Sequence, residues 1–456
     1  MSSVLTKFQE NLLAGKEIIS IYCDNSFEVI RYVMLLAQMQ SGKTFIYTFV
    51  MCEMFRQRKV DNVIIFSGNA EVALREQTRR CMEDKEYQIF YKEYLFSLGV
   101  EDCWERLKRQ ITRNFEVIWG TALKKKMDPK NNTLFIWDES HFAQDRGMCP
   151  EKFLDQMGII PNGDWRPLRE RDNYVLSVSA TSFSEASNMI HQDQCKAMVT
   201  FSPSSDYMSI KNMKENGMII PYESPKICVL EQMISSVSRV GKRKYGIIRI
   251  GHNVGSKNAD EAFYKMAARK GKWNIKLYYE TPDPERIYTL ECLNYEPLRN
   301  TLILVKDHCR MGQQLPKQNI SFVIETAASS RTDVLLQGLL GRMCGYHNYT
   351  GIRICLRKSF LESEELDKYL QFVKKSNTGL PDAIPINGNN MSKRKMVKEE
   401  EEKEDLWKIN IPKTTRKDIF CRMTEKGYAV PRKEQCSEDL APETADDIGI
   451  NEDCDY

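Results

Sequence analysis

The chain has 456 residues, of which 42% are hydrophobic, 10% aromatic and 28% charged, with a formal net charge of +3. That length and apolar content can bury two to four cores of roughly 100–200 residues each, which excludes a wholly disordered chain, and the small charge excludes a strongly cationic nucleic-acid coat. The charge is unevenly spread: Glu434 to Tyr456 holds nine acidic and no basic residues, which leaves about +12 on the remainder.

Fourteen cysteines at irregular spacings, with no C-x-x-C pair, point to a reducing compartment and away from structural zinc. The N-terminal stretch MSSVLTKFQENLLAGKE carries charges where a secretory signal needs an apolar run. The longest helix-like apolar run, Phe45 to Phe55, is shorter than the ~18 residues of a membrane span. The expectation is a soluble intracellular protein of the cytoplasm, nucleus or virion, with no membrane contact.

In chain order, short β-rich apolar runs alternate with helical patterns, first at Tyr32–Ala37, Asn62–Ser67, Phe115–Trp119, Thr133–Trp137 and Tyr174–Val178. This rhythm predicts a parallel sheet with crossover helices. After a stretch containing Pro203, Pro221 and Pro225 it resumes at Tyr245–Ile250, Trp273–Tyr279, Thr301–Val305 and Ile320–Glu325. A helix is expected to begin near Arg331, followed by an apolar segment at Ile352–Leu356. From Ser376 the chain turns rich in Gly, Pro and Asn, and the charge run KRKMVKEEEEKED follows, with a small helical element expected within Leu406–Val430. The expected organisation is a first α/β domain over 1–200, a linker over 201–235, a second α/β domain over 236–375, and a linker with a charged, acidic, disordered tail over 376–456. No internal repeat is present at a period of ~20–50 residues.

Ala37-Gln38-Met39-Gln40-Ser41-Gly42-Lys43-Thr44 lies between a strand-like run and an apolar helical pattern. This strand, glycine-bearing loop, Lys-Thr and helix form a phosphate cradle. Loop amides and the helix N-terminus surround phosphate oxygens, the lysine neutralises β/γ charge, and the threonine hydroxyl ligates Mg²⁺. The bland alternative is a glycine turn capped by an exposed lysine. Thr133 to Trp137 reads as a buried strand that ends in Asp138-Glu139-Ser140-His141, about 95 residues after Lys43. Paired acids at a strand end are commonly a solvated turn; beside a phosphate loop the first would hold the metal and the second would polarise the attacking water.

With these two stretches, Ser179-Ala180-Thr181 and Gln337-Gly338-Leu339-Leu340-Gly341-Arg342 complete an ordered set that resembles motifs I, II, III and VI of the superfamily-two helicases of the DExH type. Ser67-Gly68-Asn69 through Arg75-Glu76-Gln77 resembles motif Ia, and Trp119-Gly120-Thr121 motif Ib. Tyr245 to Ile250 stands in the place of motif IV, and Arg310-Met311-Gly312 in that of motif V. The match spans roughly residues 30–350 and looks most like the helicases of phages and large DNA viruses.

The resemblance implies two tandem RecA-like domains of the P-loop NTPase fold, ATP and Mg²⁺ in the cleft between them, and a nucleic-acid strand across both. It assigns phosphate binding to Ala37 through Thr44, the metal to Thr44 and Asp138, and water activation to Glu139. Arg342 would act as an arginine finger, and Gln337 as a γ-phosphate sensor. His141, Ser179 and Thr181 would couple hydrolysis to domain movement. Candidates for nucleic-acid contact are Ser67, Asn69, Arg75, Thr121, Lys124, Lys125, Lys126, Arg249 and Gly312, with DNA favoured over RNA. The acidic tail would keep the chain soluble, compete for a basic groove or meet partner proteins.

Three positions depart from the family pattern. Gln40 stands where glycine is common, one extra residue separates Gln337 from Gly341, and Gly345 replaces a second arginine. The expected activity is ATP-dependent unwinding of, or movement on, nucleic acid. The alternatives are a motor that moves on duplex DNA without separating it, a nucleotide-gated binding module descended from an ATPase, and an unrelated P-loop phosphotransferase.

Overall fold

A computed structural model describes residues 8–23, 30–68, 72–140, 149–159, 166–180, 196–223, 226–238, 243–250, 259–279, 281–306, 308, 315–326, 335–364, 366–367 and 369–370. The acidic tail lies outside these residues. Both sheets belong to one compact unit, Met1–Ser392.

The first half begins with helix α1 (Gln9–Cys23), which the sequence reading does not anticipate. Its strands are β1 (Tyr32–Ala37), β2 (Asn62–Ser67), β3 (Phe115–Trp119), β4 (Thr133–Asp138), β5 (Tyr174–Ser179) and β6 (Lys196–Phe201). They form one all-parallel sheet in the order β3-β2-β4-β5-β1-β6. β1 alternates faces in the manner a strand requires. Val33, Leu35 and Ala37 enter the core beneath α1 and helix α2 (Lys43–Arg56), while Met34 and Leu36 face a different cluster. β4 divides similarly, with Leu134 and Ile136 on one side and Phe135 and Trp137 on the other.

A two-residue strand, β7 (Tyr207–Met208), precedes the second half. Its sheet contains β8 (Ile219–Tyr222), β9 (Tyr245–Arg249), β10 (Asn274–Tyr278), β11 (Thr301–Val305), β12 (Ile320–Glu325) and, after the short β13 (Gly345–Tyr346), β14 (Arg353–Arg357). The order is β10-β11-β9-β12-β14-β8, again all parallel. β7 and β13 pair antiparallel to each other, with Met208 opposite Gly345. The chain therefore holds two tandem α/β domains with parallel sheets, as the strand rhythm predicts, and they are the RecA-like pair that the resemblance implies.

The region 201–235, expected as a linker, contributes to the second domain. Ile210, Met213 and Met218 join its core, and Val229, Leu230, Met233 and Ile234 of helix Lys226–Ser238 pack on its other face. Pro221 sits within β8, and β8 lies at the sheet edge, where a missing N–H leaves no ladder bond unmade. The core of this domain also reaches into the first: Met34, Leu36, Met39 and Ala180 belong to the cluster that contains Ile247, Val323, Leu336 and Leu340. The helix expected near Arg331 is described from Leu335; a π-helical turn, Leu336–Leu340, breaks at Gly338 (ψ −143°) and leads into the turn Gly341–Met343. Among the described residues, no helix is long and apolar enough to cross a membrane.

Candidate active site

Register places the carboxyl ends of the first sheet in one row. Leu36 pairs with Ser179, Val178 with Asp138, and Trp137 with Phe66. The strand leading into the glycine loop and the strand ending in the acids are thus separated by β5 alone, and a crevice opens where both run out.

The loop leaving β1 turns on two left-handed residues, Gln40 (φ 55°) and Gly42 (φ 105°). The Ser41 hydroxyl donates to the Gln38 carbonyl at 2.6 Å, closing the turn. Asn11 of α1 donates its amide to the Gly42 carbonyl at 3.4 Å, and a Cβ on Gly42 would stand 2.5 Å from that nitrogen. Gly42 is required by conformation and by space together. The 14-residue α2 starts at Lys43 with the Ile46 amide bonded to the Gly42 carbonyl, so its first-turn amides face the loop.

Opposite stand Asp138 and Glu139, both buried. The Glu139 amide donates to Asp138 Oδ1 at 3.1 Å, Glu139 itself adopts φ 52°, and its Oε1 lies 3.4 Å from Lys43 Nζ. Burial, reinforced by the Glu139 charge and opposed by Lys43, pushes the Asp138 carboxyl up to about 7. Two carboxylates held together out of water favour a bound cation, and Thr44 supplies a further oxygen on the same wall. This all-oxygen donor set suits Mg²⁺.

These groups line a cavity of about 670 Å³ with Gln40, Gly42, Phe8, Phe45 and Arg342. The Phe8 and Phe45 rings stack at 4.2 Å with 15° between their planes, and Phe45 meets Phe90 edge-on. Arg342 comes from the other domain and is 1% exposed. Gly341 lets its segment approach: a Cβ there would stand 2.4 Å from Met39 Sδ and from the Leu336 carbonyl oxygen.

The structure thus brings Gln40, Gly42, Lys43, Thr44, Asp138, Glu139 and Arg342 to one cavity. Ser179 is buried at the end of β5, and Ala180 packs into the core between the domains. Thr121 and Lys124 to Lys126 are exposed after β3, and Arg75 lies 3.4 Å from Glu76. Ser67 is fully buried. Arg249, expected to grip a strand, is 4% exposed and donates from Nη1 to Glu325 Oε2 at 3.0 Å. That burial removes it from a strand-facing surface. Gln337 contributes its backbone to the π-helical turn. Asn69, His141, Thr181 and Gly312 lie outside the described residues.

Sequence reasoning missed Asn11, Phe8, Tyr207, Lys317 and Tyr346. The last three touch the glycine loop from the other domain: Tyr207 Oη donates to the Met39 carbonyl, Lys317 Nζ to Gln40 Oε1 at 3.1 Å, and Tyr346 Oη to the Ser41 carbonyl at 3.3 Å. No local pattern marks them.

No protein-family profile matches the chain. It is 21% identical over 384 residues to an uncharacterized protein of Acanthamoeba polyphaga mimivirus, covering 80% of this chain and 88% of that one. Among solved structures it is similar to S. cerevisiae Dbp5 bound to RNA and ADP BeF3, at 12% identity and a TM-score of 0.46, covering 86% of this chain and 96% of that one. It is also similar to the DEAD-box helicase Mss116 bound to ssRNA and UDP-BeF, at 12% identity and a TM-score of 0.43, covering 86% of this chain and 80% of that one.

Proposed function

We propose that the chain is an ATP hydrolase of the superfamily-two helicase kind, in which hydrolysis drives movement on or unwinding of nucleic acid. The observation that carries this reading is the approach of Arg342 from one domain to the cavity that Lys43, Asp138 and Glu139 line from the other. A hydrolysis site divided between two domains links the state of the phosphates to the seating of the domains.

In this reading the loop amides and Lys43 take the β- and γ-phosphates, and Phe8 with Phe45 offer an apolar wall to the base. Thr44 and Asp138 would hold Mg²⁺, which would supply positive charge against that of the phosphates. Glu139 accepts a proton from the water that attacks the γ-phosphorus, while Arg342 stabilises the charge that spreads over the departing phosphoryl oxygens. Lys43 shifts from Glu139 toward the phosphates, which frees the carboxylate for that task. The exposed lysines 124 to 126 and Thr121 remain the candidates for contact with a nucleic-acid backbone.

The test is the ATPase rate of the full chain without polymer and with single-stranded DNA, duplex DNA or single-stranded RNA. Turnover stimulated by one of these and abolished in Lys43→Ala and Glu139→Gln is the expected result, and the stimulating polymer names the substrate. Polymer-independent turnover, or none, sinks the reading.

A further inference from the structure

Gln40 poses a physical problem. A left-handed backbone sets Cβ against the following carbonyl, so residues other than glycine seldom adopt it without a reason. The phosphate loop nevertheless places a glutamine there, where glycine would cost nothing.

The surroundings supply the reason. The Gln40 side-chain oxygen accepts a hydrogen bond from Lys317 Nζ at 3.1 Å, and the same ammonium group reaches the Leu315 carbonyl of its own segment at 3.4 Å. The residues on either side of Gln40 are held from the same domain, Met39 by Tyr207 and Ser41 by Tyr346. Gly345, at φ 122°, passes close by, with its ideal Cβ position 3.6 Å from Gln40 Cβ and Oε1. Lys317 is an unfavourable choice for mere packing. Burial, only partly opposed by Cys344 and reinforced by Arg342, draws its ammonium down to about 8.

A glycine at position 40 would keep the loop in shape whether or not the second domain was present. A glutamine held by that domain makes the shape conditional. We propose that Lys317 is a positioning residue that holds Gln40 in its left-handed conformation while the two domains are seated together, so that their separation releases the phosphate loop and weakens its hold on nucleotide. The proposal rests on the reading of the cavity as a nucleotide site. It gives domain opening a direct means of expelling product, through a side chain three residues before Lys43.

The test is a double-mutant cycle on the full chain with MgADP carrying a fluorescent methylanthraniloyl label. Lys317→Met should weaken binding about tenfold, equivalent to about 1.4 kcal/mol, chiefly by faster dissociation. Introduced into Gln40→Gly, the same change should alter the dissociation rate by less than about twofold, since glycine needs no holding. Unchanged binding in Lys317→Met, or an equal loss in both backgrounds, overturns the proposal. If the wild-type chain binds no MgADP, the nucleotide reading fails. Thermal unfolding of the same four proteins then decides whether the clasp exists: non-additive midpoint shifts support it, and additive ones overturn it.

Discussion

Glu325→Ala tests the claim that Arg249 is a structural rather than a strand-gripping residue. Arg249 and Glu325 end the neighbouring strands β9 and β12 and stand in register; their side chains are 5% and 2% exposed with 3.0 Å between Nη1 and Oε2. Truncating Glu325 leaves a guanidinium buried without its carboxylate, which costs about 3–5 kcal/mol. At about 2–4 °C per kcal/mol for a domain of this size, the thermal midpoint of the full chain should fall by roughly 6–20 °C. The double change Arg249→Met with Glu325→Leu removes both charges and keeps apolar volume, so it should recover most of that loss. The same carboxylate lies 3.5 Å from the Leu339 amide, and an ideal Cβ on Gly338 would stand 2.1 Å from Arg249 Nη1. The pair therefore also seats the turn that carries Arg342. A midpoint for Glu325→Ala within about 2 °C of wild type, or a double variant less stable than the single one, would refute the reasoning.

Arg342→Ala should lower kcat for ATP by about 10³ or more while changing MgADP affinity less than tenfold, as expected of a group that acts on charge developed in the transition state; an equal loss in both would count against that role. Gly345→Ala forces a Cβ onto φ 122° and should destabilise the chain by about 1–3 kcal/mol, read as a lower urea midpoint with an unchanged slope; an unchanged midpoint would contradict it. The Asp138 carboxyl titrates in the fold at about 7, above its unfolded value near 3.9, so the stability it contributes is present in full below about pH 4 and is lost as pH rises through 7. Asp138→Asn should therefore unfold at a higher temperature than wild type at pH 8, by the equivalent of a few kcal/mol at most, and at the same temperature at pH 4. Equal midpoints at pH 8 would remove the claim that the Asp138 charge is held against its solvation.

The central strands were legible in the sequence because both of their faces are buried. A run such as Thr133-Leu134-Phe135-Ile136-Trp137 admits few other readings, and β4 occupies it with Asp138 at its end. The strands of the two large sheets that escaped notice lie at their edges. β6 and β8 each have one paired neighbour, and Pro221 in β8 looks like a linker residue until the edge position explains it. That Lys43, Thr44, Asp138 and Glu139 come together at one cavity was legible because each sits in a short local pattern of strand, turn and helix. Arg249 was misread for the opposite reason. An arginine closing the run Tyr245-Gly246-Ile247-Ile248 resembles a charge reaching for solvent, and nothing nearby in the chain reveals that Glu325 waits in register 76 residues later.

Distance in sequence also hid the hold on the glycine loop. Tyr207, Lys317 and Tyr346 reach Met39, Gln40 and Ser41 across separations of 168, 277 and 305 residues, and none belongs to a recognisable pattern. The sequence did contain one trace of the arrangement, in two departures from the motif pattern it resembles that look unrelated: a glutamine at position 40 and a glycine at position 345. In the fold they are neighbours. An arginine at 345 would have to adopt φ 122° and set its side chain beside Gln40, so a glycine at 345 and a glutamine at 40 fit one local packing solution. Gly345→Arg alone should then be worse than Gly345→Arg combined with Gln40→Gly, because the arginine brings its bulk against Gln40 and Gln40→Gly opens the space that such a side chain needs. Thermal midpoints of the two single variants and the double would decide it: a double variant no more stable than Gly345→Arg alone would mean that the two departures are independent.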